Sequence, residues 1–231
     1  MRRVLLKLSG EALAGDKKTG FDEATVTAVA KHVKKIVDEG IQTAIVIGGG
    51  NFWRGRSSGA IERTHADQIG MLATVMNCIY TSEIFRSQGM KTVIMTPFQI
   101  GAFTELFSKD RAVEALKEGK VVFFAGGTGH PYFSTDTGVV LRAVEMEADE
   151  ILLAKAVDGV YDSDPRNNPD AKRFDEISID DVVAKGLGVV DGAAAVIAKE
   201  NRMPMLVFGL AGTDSIIRAA RGEIDGTRVT V

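Results

Sequence analysis

Cysteine is nearly absent: Cys78 is the only one in 231 residues, so no internal disulfide can form, and the chain fits a reducing, cytoplasmic setting. Histidine is scarce as well. With His32, His65 and His130 scattered and no Cys/His cluster, no zinc-ligand spacing can be drawn. Basic excess is missing, since 28 Lys and Arg stand against 31 Asp and Glu for a formal charge of −3, which disfavours a dedicated nucleic-acid binder. Long apolar runs are missing too. The N-terminal Val4-Leu5-Leu6 is cut by Lys7, short of the roughly 7 residues of a secretory segment, and nothing approaches the roughly 18 of a membrane span. Nucleotide signatures are also lacking: there is no G-x-x-x-x-G-K-[ST] loop, no G-x-G-x-x-G fingerprint and no H-R-D or D-F-G set, which excludes the commonest nucleotide sites.

Glycine, by contrast, is abundant, at 25 of 231 residues, about 11% where about 7% is usual. Short β-rich apolar runs recur at 3–8, 43–47, 92–95, 121–125, 151–154, 205–208 and 227–231, mostly without polar alternation, as in strands buried on both faces. Helical periods lie between them. After Phe21, Val26, Val29, Val33, Ile36 and Val37 mark one helix, with Asp22 as its cap and Gly40 as its end. A longer helix starts at Thr64, with Asp67 completing a variant capping box, and carries Ile69, Leu72, Met76, Ile79 and Tyr80 on one side. Met71, Val75 and Cys78 add apolar surface elsewhere on it, part of which is expected to be buried between subunits. Further helices are predicted at 108–117, 136–147, 180–185, 193–200 and 214–220. The alternation predicts one domain over 1–231, a three-layer α/β/α sandwich with a mainly parallel central sheet. The Pro/Asn/Asp-rich stretch from Asp158 to Asp170 reads as a functional loop within it.

The glycines gather where strands end: Ser9-Gly10 after the first, Gly48-Gly49-Gly50-Asn51 after the second, Gly126-Gly127-Thr128-Gly129 after the fourth. In a parallel sheet these points share the carboxyl edge, where ligands bind, and bare backbone N–H groups there suit phosphates. Cations stand beside two of the turns, Lys7 and Arg54. A transferring phosphoryl group needs such a pairing because its charge spreads over its equatorial oxygens. A strand-end charge in solvent and a surface loop residue are the alternative readings of Lys7 and Arg54.

The runs Lys7-Leu8-Ser9-Gly10-Glu11-Ala12-Leu13, Val46 to Asn51 with Arg54-Gly55, Gly70 to Asn77, Gly127-Thr128-Gly129 through Thr135-Asp136, and Val157 to Tyr161 with Asp164-Pro165 together resemble the bacterial uridylate (UMP) kinases of the amino acid kinase superfamily. The likeness runs through nearly the whole chain in one order. It implies ATP-dependent phosphorylation of UMP to UDP with Mg²⁺, in a homohexamer, with nucleotide effectors that include inhibition by UTP. It also implies an ATP site at Lys7, Leu8, Ser9, Gly10, Gly50 and Arg54, with Tyr161 and Asp164 near adenine and ribose. Lys155 is a candidate second phosphate cation. For UMP it implies Gly49, Asp67 and the run Thr128, Gly129, His130, Pro131, Tyr132, Phe133, Ser134 and Thr135. Asp136 and Asp191 match two acidic positions near the transferred phosphate, which with Lys7 and Arg54 make the catalytic set.

UMP supplies its own anionic oxygen as nucleophile, so no general base is required and no catalytic histidine is expected. Plainer roles stay open for several residues: a first-turn helix acid for Asp136, a capping partner of Thr64 for Asp67, loop packing for Tyr161. Gln68-Ile69 and the lysines of Gly15 to Gly20 depart from the family pattern, and the latter leave a response to GTP open.

Overall fold

The computed structural model describes residues 1–53, 61–210, 214–223 and 225–231. Arg54, expected to flank the phosphates, lies outside them. Strands β1 (Arg3–Leu8), β2 (Gln42–Ile47), β3 (Thr92–Thr96), β4 (Glu105–Leu106), β5 (Val121–Phe124), β6 (Glu150–Lys155), β7 (Glu176–Ser178), β8 (Met205–Gly209) and β9 (Gly226–Thr230) form one sheet in the order β4-β3-β5-β2-β1-β6-β8-β9-β7. All pairings are parallel except β8 with β9.

Both faces of the sheet are covered, as the unalternated strands predict. Leu5, Val46, Phe124, Leu153 and Val207 pack under α4 (Lys109–Lys117), α5 (Thr135–Glu145), α6 (Ile179–Ala184) and α7 (Gly192–Glu200). Val4, Leu6, Leu8, Ile45, Ile47, Phe123 and Leu206 pack under α1 (Gly10–Ala14), α2 (Glu23–Asp38), α3 (Arg63–Ser87) and α8 (Ser215–Arg221). Each fully buried Leu, Ile or Phe contributes about 1.5–3 kcal/mol from leaving water, so the two cores dominate the fold energy. The three layers therefore match the predicted sandwich. Helix α1 and the short strands β4 and β7 were not predicted, because two to five residues are too few to show a period.

Helix α3 corrects two expectations. Its cap is Glu62, whose carboxylate accepts from the Thr64 and His65 N–H groups, so Thr64 lies inside the helix and Asp67 is no capping partner. Its apolar surface is also distributed otherwise than expected, since Val75 and Cys78 are covered within the chain and not between subunits. Ile69, Leu72, Met76 and Ile79 are 40, 51, 47 and 41% exposed, whereas Val75 and Cys78 lie in the core and Met71 lines a cleft. The inward face carries Ala73, Thr74, Asn77, Thr81 and Ser82, small or amide side chains that let the helix sit close to the sheet. The side chains of Thr74, Asn77 and Ser82 find partners in the protein, as where Thr74 receives the Gly126 N–H at 2.8 Å.

Candidate active site

Three of the predicted glycine turns meet at the carboxyl edge of the sheet around a cavity of about 300 Å³. Its floor is Lys7 and Ser9 from the end of β1 and Gly48, Gly49 and Gly50 after β2. Its walls are Trp53, Arg63, Asp67, Met71 and Thr74 on one side, and Gly126 to Thr128 with Phe133 to Asp136 on the other. The glycines serve two different needs. Gly126, Gly127 and Gly129 adopt φ of 80°, 58° and 83°, the left-handed region that side chains resist. Gly50 has no such requirement, but a Cβ there would run into the Glu11 carboxylate.

Helix α5 directs its N-terminus at this cavity. Ser134 caps it, accepting from the Asp136 and Thr137 N–H groups at 3.0 and 3.3 Å. That places Asp136 in the first turn, where the helix dipole favours an acid, with its Oδ1 3.0 Å from Lys7 Nζ. Asp136 is thus both a first-turn helix acid and a residue that lines the cavity. Asp191 is the N-cap of α7, accepting from the Ala194 N–H and from the Thr137 hydroxyl at 3.0 Å, and from the Ser134 hydroxyl. Burial pushes its carboxyl up, but the bonds from Ser134, Ala194 and Thr137 outweigh that and hold it below the ordinary aspartate value. Asp191 so braces the first turn of α5 from behind and does not line the cavity.

A second cavity, about 560 Å³, opens beyond β6. It is lined by Lys155, Tyr161 and Asp164 together with Gly186 to Val189 and Val207. Lys155 Nζ donates to the carbonyls of Val189 and Gly188 at 2.5 and 3.3 Å. Its ammonium is held below the ordinary lysine value by burial, raised somewhat by Asp136 and pushed down again by Lys7, so it senses both members of the ion pair. The loop carrying Tyr161 is tied in place by Arg173, whose Nη1 lies 2.7 Å from Asp158 and 3.3 Å from Asp225. Asp158 also accepts from the Tyr161 hydroxyl at 2.8 Å. Asp164 is occupied locally, accepting from the Arg166 backbone and guanidinium.

The remaining expected contacts are placed less directly. Leu8 is wholly inside the core and its carbonyl accepts from the Gly48 N–H, so its side chain faces away from the cavity. Gly10 is buried at the start of α1, where a side chain would strike Asn51 and the Gly48 carbonyl. Of the run 128–135, Thr128, Phe133, Ser134 and Thr135 line the first cavity, whereas Gly129, His130, Pro131 and Tyr132 form the turn above it. That turn is latched by Asp67, which accepts from the Tyr132 N–H at 2.8 Å and from Arg63 Nε at 2.7 Å. The Arg63 guanidinium lies over the Tyr132 ring at 5.2 Å. Trp53, Arg63 and Gly186 to Val189 were not foreseen as site residues. Only the Gly186-x-Gly188 spacing offered a signal, and it was too short to separate from an ordinary turn.

A model of the amino acid kinase family matches residues 2–209. The chain belongs to the amino acid kinase family. As an amino acid kinase it is similar along almost its whole length to two solved structures. One is the UMP kinase from Bacillus anthracis, at 38% identity and TM-score 0.95, covering 99% of this chain and 96% of that one. The other is the UMP kinase from Ureaplasma parvum, at 30% identity and TM-score 0.94, covering 100% and 99%. No described helix of this amino acid kinase is long and apolar enough to cross a membrane.

Proposed function

We propose that this amino acid kinase is a UMP kinase, transferring the terminal phosphoryl group of ATP to UMP to give UDP and ADP. The observation that carries the reading is a cavity at the glycine turns lined by the ion pair of Lys7 and Asp136, with a second cavity whose Lys155 feels both of those charges. UMP takes the smaller cavity, between Asp67 and the 128–135 run, and ATP the larger one. Such a site brings two anions together and stabilises charge as it passes between them, by positioning and electrostatics alone.

In this mechanism the Gly49 and Gly50 turn and the N-terminus of α5 supply N–H donors, Lys7 supplies a cation at the transferring group, and Lys155 supplies a second one on the ATP side. Asp136 orients Lys7; Asp191 holds the first turn of α5 in register through Ser134 and Thr137. Arg54 is assigned the role of an added cation by resemblance alone. The donor set also suits Mg²⁺ arriving with ATP. Among the described residues no three His, Cys, Asp or Glu side chains are grouped to hold an ion, while Asp136 Oδ1 is buried and makes no hydrogen bond, its contact with Lys7 being an ion pair. Asp136 is therefore the residue that would help hold Mg²⁺, most of whose ligands come from phosphates and water. When bound, the ion neutralises charge on the ATP phosphates.

A homohexamer is part of the proposal, supported by the stripe Ile69, Leu72, Met76 and Ile79, which leaves water only if another surface covers it. Inhibition by UTP follows from resemblance alone. The test is ADP release in a coupled assay with UMP, CMP, acetylglutamate and carbamate as acceptors. Uracil and cytosine reverse donor and acceptor at two ring positions, and each mispaired group costs about 1–3 kcal/mol, so kcat/KM for UMP should exceed that for CMP by ~10² or more. Equal values would overturn the uridylate assignment, and turnover with acetylglutamate or carbamate alone would replace it. ADP release with none of the four would make the protein a nucleotide binder without turnover.

A further inference from the structure

Two asparagines that play no part in the mechanism above are buried beside the glycine turn. Asn51 is 2% exposed and Asn77, in the middle of α3, is fully buried. Their amides bond each other reciprocally, Asn51 Nδ2 to Asn77 Oδ1 at 2.9 Å and Asn77 Nδ2 to Asn51 Oδ1 at 2.8 Å. Each has one donor left and spends it on backbone: Asn77 Nδ2 donates to the Gly48 carbonyl at 2.7 Å, and Asn51 Nδ2 donates to the Gly20 carbonyl at 2.8 Å. An apolar pair of similar size would fill the same space without the cost of burying two amides, so the donors have work to do.

The consequence lies in the peptide joining Gly48 to Gly49. A trans peptide points its C=O and its N–H in opposite directions. With the Gly48 oxygen drawn back to Asn77, the Gly49 N–H faces away from α3, and among the described residues it has no acceptor. Gly49 lines the smaller cavity. We propose that Asn77, held in orientation by Asn51, is a positioning residue that presets the Gly48–Gly49 peptide so that its N–H is aimed at the phosphate of the acceptor nucleotide. The inference rests on the UMP kinase reading of this cavity and adds to it the element that fixes the turn. Preorganised donors of this kind cost no rearrangement when the anion arrives.

Asn77→Asp is the discriminating variant, because it keeps shape and takes away the amide's two donors, to the Gly48 carbonyl and to Asn51. An ionised aspartate only accepts, so it repels the Gly48 carbonyl and releases the peptide; a protonated one regains an O–H that can donate there. Burial raises the pKa of such a group, which brings the change within reach of an assay. At pH 8 the variant should raise KM for UMP by about tenfold or more, as expected for a lost hydrogen bond to a charged group, with KM for ATP within about twofold. At pH 6 the deficit relative to the parent should shrink. Asn51→Asp, which loses one bond that orients Asn77 but leaves Asn77 its donor to the Gly48 carbonyl, should raise KM for UMP by less than Asn77→Asp does at pH 8. Thermal melts accompany each variant. Independently of folding, deuterium exchange in the parent protein should slow in peptides covering residues 47–53 when UMP is added. Parent-like KM values for Asn77→Asp at both pH values, a uniform loss of kcat with KM unchanged, or no UMP-dependent protection of 47–53 would each overturn the proposal. A parent protein that does not phosphorylate UMP would instead remove the reading beneath it, so the two failures are separable.

Discussion

Replacing Lys7 with alanine removes the cation from the cavity at the glycine turns. Its ammonium is 3.0 Å from Asp136, and the two side chains are only 15 and 22% exposed, so the site is neither dry nor bulk water. At an effective dielectric near 20, a unit charge about 4 Å from another is worth about 4 kcal/mol. ATP is already anionic before transfer, so only the part of this that grows toward the transition state enters kcat. Losses of about 2.7–4 kcal/mol are usual when one fixed donor to a developing anion is deleted, which corresponds to a fall in kcat of ~10²–10³. The assay is steady-state ADP release with UMP saturating, beside a thermal melt. Lys7→Ala also leaves buried Asp136 Oδ1 without its cation, so it should lower the melting temperature, and adding Asp136→Asn should restore stability without restoring turnover. A folded Lys7→Ala with kcat within about threefold of the parent would refute the electrostatic reasoning, since that is less than about 1 kcal/mol.

Lys155 must be protonated to act on phosphate, and its ammonium is held below the ordinary lysine value, so kcat should fall as pH rises through that lowered value, earlier than for an exposed lysine. Lys155→Arg, which stays charged, should lose this alkaline limb in a pH–rate profile; the folded state also binds fewer protons there, so stability should rise with pH across the same window. The Asp191 carboxyl is held low, so its contribution to stability is present above the ordinary aspartate pKa and lost as pH falls through its native value. Urea melts of Asp191→Asn should show a deficit of about 1–2 kcal/mol at pH 7 that closes in acid. Asp67→Ala should free the Tyr132 turn and raise KM for UMP by about tenfold with KM for ATP little changed, measured in the coupled assay. Leu72→Glu with Met76→Glu, both on the exposed stripe, should leave the monomer fold intact while light scattering falls toward 24.7 kDa.

Much of this was legible in the residues alone. Val4 to Leu8 and Val121 to Phe124 announce strands buried on both faces, and both pair in parallel with β2 in the mainly parallel sheet expected. The glycine turns after three strands located the cavity, because chain direction alone puts the ends of parallel strands on one edge. Asp22 capped α2 as the local pattern required, accepting from the Thr25 N–H at 2.8 Å. Capping and strand character are decided by a few neighbouring residues, so a linear reading reaches them.

Which side of α3 faces inward was decided elsewhere. Periodicity put Ile69, Leu72, Met76, Ile79 and Tyr80 on one side without saying which way it faces, and the sheet takes Ala73, Thr74, Asn77 and Cys78, because close approach and buried hydrogen bonds to Gly48 and Gly126 outweigh hydrophobicity at those positions. Asp67, read by resemblance as a UMP contact with a capping role left open, lines the cavity and holds a turn 65 residues away. Asp191 was placed among the acids of the site and braces it through Ser134 and Thr137. The sequence by itself determined the strand and helix types, the sandwich and the edge that carries the glycine turns, since these follow from local propensity, burial pattern and chain direction. Only the tertiary structure decided which carboxylate meets Lys7 and which way each glycine peptide points, because those depend on contacts between segments far apart in the chain, which no spacing encodes.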